Sequence, residues 1–350
     1  MSVKIQAVAK ALPPHSRSLT EIMPYLEVWL QDQDDRFIRK VKKIFENAGV
    51  ERRYSIMGPE DVFTSTSFED KNNLYQREMK KLGVACLQGA LDKANLKGTD
   101  IDYIITVSCT GFMIPSIDAY LINELQLRQD IVRLPVTEMG CAAGVSGIIY
   151  AKKMLEASPG KRAAVIALES PTVTFQHQDF SMANIVSAAI FGDGAACAIL
   201  SSHETDKGPD IIAEEMYHFY DAEYLMGFHL SNTGLKMVLD VEVPEKIEAN
   251  FGNIVHPFLA KHGLTIADIQ HLIFHPGGRK IIDLVETLFS NMGKKLDDTK
   301  DILRYYGNMS SATVLYVMER FMDQQIPKGD KGLMLSFGPG FSAQRVLLQW

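Results

Sequence analysis

The sequence has few cysteines, and none of them are paired. Its four, Cys86, Cys109, Cys141 and Cys197, lie far apart without metal-type spacing, which excludes a disulfide scaffold or a zinc site and fits a reducing compartment. There is no excess of basic residues. Lys and Arg number 36 against 43 Asp and Glu, a formal net charge of −7, so a general nucleic-acid binder is excluded and only a local basic patch is left open. No apolar run approaches the roughly 18 residues of a membrane span; Ile185 to Ile190 is soon interrupted by Gly and Asp. From Met1 to Pro14, Val3, Ile5 and Ala7 alternate with Lys4 and Gln6, which predicts a strand rather than a signal peptide, and with it a soluble, cytoplasmic protein. The 25 Gly and 14 Pro are ordinary for 350 residues, so collagen-like repeats and disorder are excluded. With 46% hydrophobic and 23% charged residues, the chain is long enough for one large α/β unit or two fused halves.

An internal repeat favours two halves. The polar stretch Ser201 to Asp210 divides residues 1–205 from 206–350. Asp100-Ile101-Asp102-Tyr103-Ile104-Ile105 resembles Asp268-Ile269-Gln270-His271-Leu272-Ile273, 168 residues later, and both read as buried strands. Gly140-Cys141 before one apolar helix pattern matches Gly307-Asn308 before another, at an offset of 167. Phe191-Gly192-Asp193-Gly194 matches Phe337-Gly338-Pro339-Gly340 at 146, which puts about 21 extra residues in the first half, around Thr172 to Asn184. The duplication predicts two similar α/β halves about a pseudo-twofold axis with small-residue helices buried between them. Cys141, Asn308 and His275 then face a common centre.

Cys141 follows the strand-like Leu134-Pro135-Val136-Thr137 and opens an Ala- and Gly-rich helix, a positive helix end that favours the thiolate. Cys86 and Cys197 read as buried core residues. His275 ends an apolar strand at Pro276-Gly277-Gly278, whereas His271 lies inside that strand and reads as a core histidine. Taken alone, Asn308 reads as a helix N-cap.

Together, Cys, His and Asn in that order, in GCAAG at Cys141, FGDGAA at Phe191, HPGGRKIID at His275, YGNMSSA at Tyr306 and FGPG at Phe337, resemble the type III polyketide synthases related to chalcone synthase. The resemblance spans nearly the whole chain. It implies a thiolase fold of two pseudo-duplicated halves in an α-β-α-β-α layering, and a homodimer with Met113 and Ile114 near the interface. Cys141 would be the nucleophile, paired with His275 as imidazolium, and would take an acyl group from acyl-CoA. His275 and Asn308 would stabilise the enolate formed as malonyl-CoA loses carbon dioxide. Phe191 would be a gatekeeper, and Ser310 would line the cavity. No metal and no organic cofactor beyond the CoA thioesters is implied. Lys40, Lys43 and Arg279 would bind CoA phosphates, with Asn47 where the plant enzymes carry a third base; a solvated helix face is the alternative reading of Lys40, Lys42 and Lys43.

Several cavity positions depart from the plant pattern. Thr174 is retained, but Met237 replaces a second gatekeeper Phe, Phe228 and Ser187 replace glycines, and Cys109 replaces a Thr. These exchanges argue against a flavonoid product and resemble bacterial members that make alkylpyrones, alkylresorcinols or polyhydroxynaphthalenes; the flexible Met237 favours an aliphatic starter. Two alternatives are weighed. A carrier-protein-dependent ketoacyl synthase requires a basic docking patch and is disfavoured by the net charge and by HPGG. A non-catalytic polyketide-binding relative is disfavoured by the intact Cys141, His275 and Asn308.

Overall fold

The structure, a computed structural model, describes residues 2–289 and 296–350; Met1, counted in the strand expected at the start, lies outside them. In chain order the first half runs β1 (Lys4–Ala11), β2 (His15–Ser18), α1 (Leu19–Trp29), α2 (Asp35–Asn47), β3 (Arg52–Ser55), α3 (Pro59–Val62), α4 (Phe68–Ala94), β4 (Tyr103–Val107), α5 (Ile117–Glu124), β5 (Val132–Val136), α6 (Ala143–Glu156), β6 (Arg162–Glu169), α7 (Met182–Ile190) and β7 (Gly194–Ser201). The second half runs β8 (Asp210–His218), β9 (Met226–Ser231), β10 (Gly234–Leu239), α8 (Val243–Ala260), β11 (His271–Phe274), α9 (Arg279–Leu288), α10 (Asp297–Tyr306), α11 (Thr313–Met322), β12 (Lys331–Gly338) and β13 (Ser342–Gln349).

Nine strands pair in the order β11-β12-β13-β8-β1-β7-β6-β4-β5. Outward from the β8/β1 seam the two sides repeat each other. β13 and β7 are antiparallel to their inner neighbours, β12 and β6 antiparallel to those, and β11 and β4 parallel to β12 and β6. The seam is thin, with one register pair, Lys4 with Asp210, flanked by Ile5 N donating to Pro209 O (3.1 Å) and Ile211 N to Val3 O (2.8 Å).

The alternation of side chains along the strands builds the layers. On β7, Ala195, Cys197 and Ile199 pack with the apolar face of α4, and Ala196, Ala198 and Leu200 face the other way, onto α6 and α11. On β12 and β13, Met334, Val346 and Leu348 join that same central cluster, while Leu333, Leu335 and Leu347 pack outward with α8. The sequence is therefore helix, sheet, helix, sheet, helix, and Cys86 and Cys197 sit in the α4 layer as core residues.

The repeat needs three corrections. The acids of the first matched pair precede the strands and cap 3-10 turns instead: Asp100 accepts from Lys97 N and Asp268 from Thr265 N, both at 2.8 Å. In the second, the buried turns superpose at 170 residues rather than 167. Gly140 and Ser310 both have φ of 49°, Ala142 N bonds Met139 O as Ala312 N bonds Met309 O (both 3.2 Å), and α6 and α11 follow at Ala143 and Thr313. The twin of Cys141 is thus Ser311, and Asn308 stands just before the turn. Third, Phe337 and Gly338 end β12, whereas Phe191 to Asp193 precede β7, so the FGDG and FGPG motifs are not equivalent. The first-half insertion is the β6 to β7 connection, residues 170–193, against 339–341 between β12 and β13.

Candidate active site

Gly140 lets the chain enter the Cys141 turn. Its positive φ suits glycine, and a Cβ there would stand 2.7 Å from the Pro339 ring. Gly144, one turn on, lets the second turn approach, since a Cβ would meet Ser311 O at 2.2 Å. Small residues thus press the two turns together at the centre of the molecule. His275 follows β11, tied by its backbone N to Leu335 O (3.0 Å). The short segment carrying Asn308 is stitched to the end of α7: Asn308 N donates to Ile190 O (2.8 Å) and Gly192 N to Asn308 O (3.0 Å).

Asn308 is not the helix N-cap expected of it, since Met309 and Ala312 stand at the cap positions and neither helix start carries a side-chain cap. Its Oδ1 accepts from Ser310 N (2.8 Å) and Thr313 Oγ1 (3.2 Å), which leaves Nδ2 to point at Gly277 O (3.4 Å) and Cys141 Sγ (4.0 Å). With its acceptor occupied twice, the amide has one sensible orientation, donor toward the sulfur. His275 is buried, and among the described residues neither ring nitrogen has a hydrogen-bond partner.

Burial sets the electrostatics, contrary to the expected thiolate. It pushes the Cys141 thiol up to about 12; hydrogen bonds from Ser310 and Asn308 act the other way, and the charge of Glu169 adds to the rise. Burial pulls the His275 imidazole down to about 3. Each shift reflects the cost of an isolated charge in a dry site, and no hydrogen bond joins the two groups. Proton transfer from sulfur to ring makes both charges at once, so that each becomes the other's compensation.

Cys141, His275 and Asn308 line one end of a cavity of about 510 Å³, within the range of small-ligand sites. Ser310, Cys109, Phe191, Phe228 and Met237 line it too, and Lys40, Lys43, Arg279 and Lys280 stand on it with exposed side chains, so it runs from a cationic mouth to the buried Cys141. Asn47 borders the same mouth. Lys42 does not: it pairs with Glu27 at 2.5 Å. Phe228 and Met237 are directly opposed on the β9–β10 hairpin and act as one wall. Thr174 and Ser187 line a separate cavity of about 60 Å³, reached past Phe191, Met237 and Pro171, which border both. His271 pairs with Asp330 (2.9 Å), outside the site.

Two groups escaped the sequence reading. Thr313 Oγ1 lies against both Asn308 Oδ1 (3.2 Å) and Ser310 O (2.9 Å). Glu169, buried at the end of β6, accepts from Cys109 N (3.1 Å), Thr110 Oγ1 (2.8 Å) and Ser311 Oγ (2.5 Å), with burial raising its pKa. The available signal was a lone carboxylate closing the apolar run Ala163 to Leu168. Among the described residues no cluster of His, Cys, Asp and Glu is placed to hold a metal ion, and no helix is long and apolar enough to cross a membrane.

Known proteins resemble the chain as a whole. Chalcone and stilbene synthases match in two parts, their N-terminal domain over residues 2–204 and their C-terminal domain over 215–350. A 1,3,6,8-tetrahydroxynaphthalene synthase of Streptomyces peucetius subsp. caesius is 34% identical, covering 99% of this chain and 93% of the relative. A phloroglucinol synthase of Pseudomonas fluorescens is 28% identical over 97% and 96%. Among solved structures, the 1,3,6,8-tetrahydroxynaphthalene synthase of Streptomyces coelicolor A3(2), a bacterial type III polyketide synthase, superposes with a TM-score of 0.92 at 31% identity and 99% coverage of both chains. The type III domain of Steely1 from Dictyostelium gives 0.91 at 25% identity over 100% and 99%.

Proposed function

The chain belongs to the chalcone and stilbene synthase family and is a type III polyketide synthase, an acyl-transferring enzyme of the thiolase fold, and we propose that Cys141, His275 and Asn308 carry its chemistry. The observation that supports this most is the convergence of Sγ, an imidazole with no hydrogen-bond partner among the described residues and an oriented amide at the buried end of one cavity.

In the proposed cycle, the Cys141 proton passes to His275 as Sγ bonds the carbonyl carbon of an acyl-CoA; the CoA thiolate leaves and takes that proton back. Malonyl-CoA then enters. As its carboxylate departs as carbon dioxide, the electron pair moves onto the thioester oxygen, where His275 and Asn308 Nδ2 donate to it. The apolar ring of Phe191 disfavours the carboxylate charge and so favours its loss. The carbanion attacks the acyl carbonyl and displaces the Cys141 thiolate, which completes a Claisen condensation. Lys40, Lys43 and Arg279 hold the CoA phosphates, with Asn47 providing no charge at the third position. The cycle uses no metal and no cofactor beyond CoA thioesters. Residues 1–205 supply the nucleophile and 206–350 the two donors, in a cytoplasmic homodimer. The product is a cyclised polyphenol or pyrone, in line with the ring polyols that name the relatives.

The test is decarboxylation of malonyl-CoA without a carrier protein. Asn308→Ala lowers the rate roughly a hundredfold or more, the usual cost of one oxyanion donor. A wild-type rate in that variant would remove Asn308 from the chemistry.

A further inference from the structure

Phosphate binding leaves part of the charge at the mouth unused. Arg36, Arg39, Lys40 and Lys43 of α2 are all exposed, and their spacing places them along one helix face. Among the described residues none has an ion-pair partner, although Lys42 on the flank is paired with Glu27. The acids of this helix lie at its ends: Asp34 caps the first turn, Asp35 follows it, and Glu46 is in the last turn. Across the mouth, Arg279 packs over Gly49, just beyond the end of α2. Lys40, Lys43 and Arg279 line the cavity, but Arg36 and Arg39 do not. Arg36 stands about 6 Å further out along the axis than Lys40, at 1.5 Å per residue. A ligand whose phosphates sit at the mouth does not need cations a full turn beyond it, whereas a broader anionic surface does.

We propose that this stripe docks a small acidic acyl carrier protein, which presents its acyl thioester on a phosphopantetheine arm through the mouth to Cys141. Charge complementarity argues for that occupant. The chain carries a net −7, so an acidic partner is repelled by the molecule as a whole and steered to this face, and the face borders the mouth of the cavity that holds the buried sulfur. The step is the same transthioesterification: Sγ bonds the acyl carbon, and the pantetheine thiol leaves with the proton that Cys141 gives up. The proposal rests on the reading of Cys141 as acyl acceptor.

Intact-mass spectrometry separates the two. Wild-type protein is mixed with octanoyl-CoA or with a bacterial fatty-acid acyl carrier protein charged with octanoate, and the same is done with R36E/R39E, whose side chains touch neither cavity nor core. Both donors acylate the wild type, the carrier-dependent rate falls steeply with salt, and R36E/R39E slows it tenfold or more while leaving the octanoyl-CoA rate within twofold. Equal rates from the carrier in variant and wild type, or no acylation from the carrier, would overturn the docking proposal alone. Binding to phosphatidylglycerol vesicles without carrier-dependent acylation would assign the stripe to a lipid surface and overturn it as well. Absence of an adduct with either donor would overturn the reading of Cys141 on which it rests.

Discussion

At the scale of the residue, the site is governed by desolvation. A buried thiol pushed up to about 12 stays protonated through the physiological range, so by itself it would react faster with every rise in pH. An imidazole pulled down to about 3 stays neutral over the same range. In the proposed cycle the pair reacts when the proton moves from one to the other, which would make His275 the determinant of the pH profile. In His275→Gln, alkylation of Cys141 by iodoacetamide is therefore expected to climb about tenfold per unit between pH 6 and 10, the slope of a thiol titrating above the window. In the wild type the rate is flat near neutrality and exceeds the variant's at pH 7 by a hundredfold or more. The same slope in both proteins would show that His275 does not hold the proton. Thr313 and Ser310 matter at this scale too, since by occupying the oxygen of Asn308 they decide that its donor faces the sulfur.

At the scale of the element, the duplicated frame carries the reacting groups and the segments outside it form the wall. α7 contributes Met182, Val186 and Ile190, and the β9–β10 hairpin contributes Phe228 and Met237 as a cross-strand pair. Because the two are opposed, a tail that displaces Met237 also feels Phe228. Apolar burial contributes about 0.8 kcal/mol per methylene, so kcat/KM across acyl-CoAs of increasing length is expected to rise severalfold per carbon until the cavity ends, and Phe228→Gly is expected to move that end outward. A flat or falling series, or preference for a cinnamoyl-type starter, would assign the wall a different task.

Much of this scale was legible in the sequence. The polar break, the duplication and the extra length of one connection all follow from spacing, because glycine turns and apolar strands leave letters behind. The register of the central turn did not follow. Gly140-Cys141 and Gly307-Asn308 look alike as letters, but what superposes is backbone shape, Gly140 with Ser310, and a serine with positive φ leaves no mark in the sequence. Glu169 stayed hidden for a related reason: its partners Thr110 and Ser311 come from distant segments. Thr174 and Ser187 line a side cavity that shares Pro171, Phe191 and Met237 with the main one.

At the scale of the whole molecule, two halves share one core. The central cluster draws on strands from both sides of the thin β8/β1 seam, so neither half closes its apolar face alone. Several large apolar side chains are exposed, Tyr220, Leu230 and Val241 among them, and the loop after β4 is the one expected to meet a second copy. Ile114 is fully exposed, and Phe112 beside it is 41% exposed, in an apolar loop that continues from the chain leaving β4 toward Cys109. Light scattering at micromolar concentration is expected to give twice the chain mass, and a monomer would contradict the homodimer. The central claim is that one sulfur accepts the acyl group at the meeting point of the two halves. Intact-mass and peptide mass spectrometry after mixing with an acyl-CoA tests it most directly. The protein is expected to gain one acyl mass on the peptide containing Cys141, and Cys141→Ala is expected to gain none; an acyl adduct of wild-type yield on Cys109 in that variant would contradict the account.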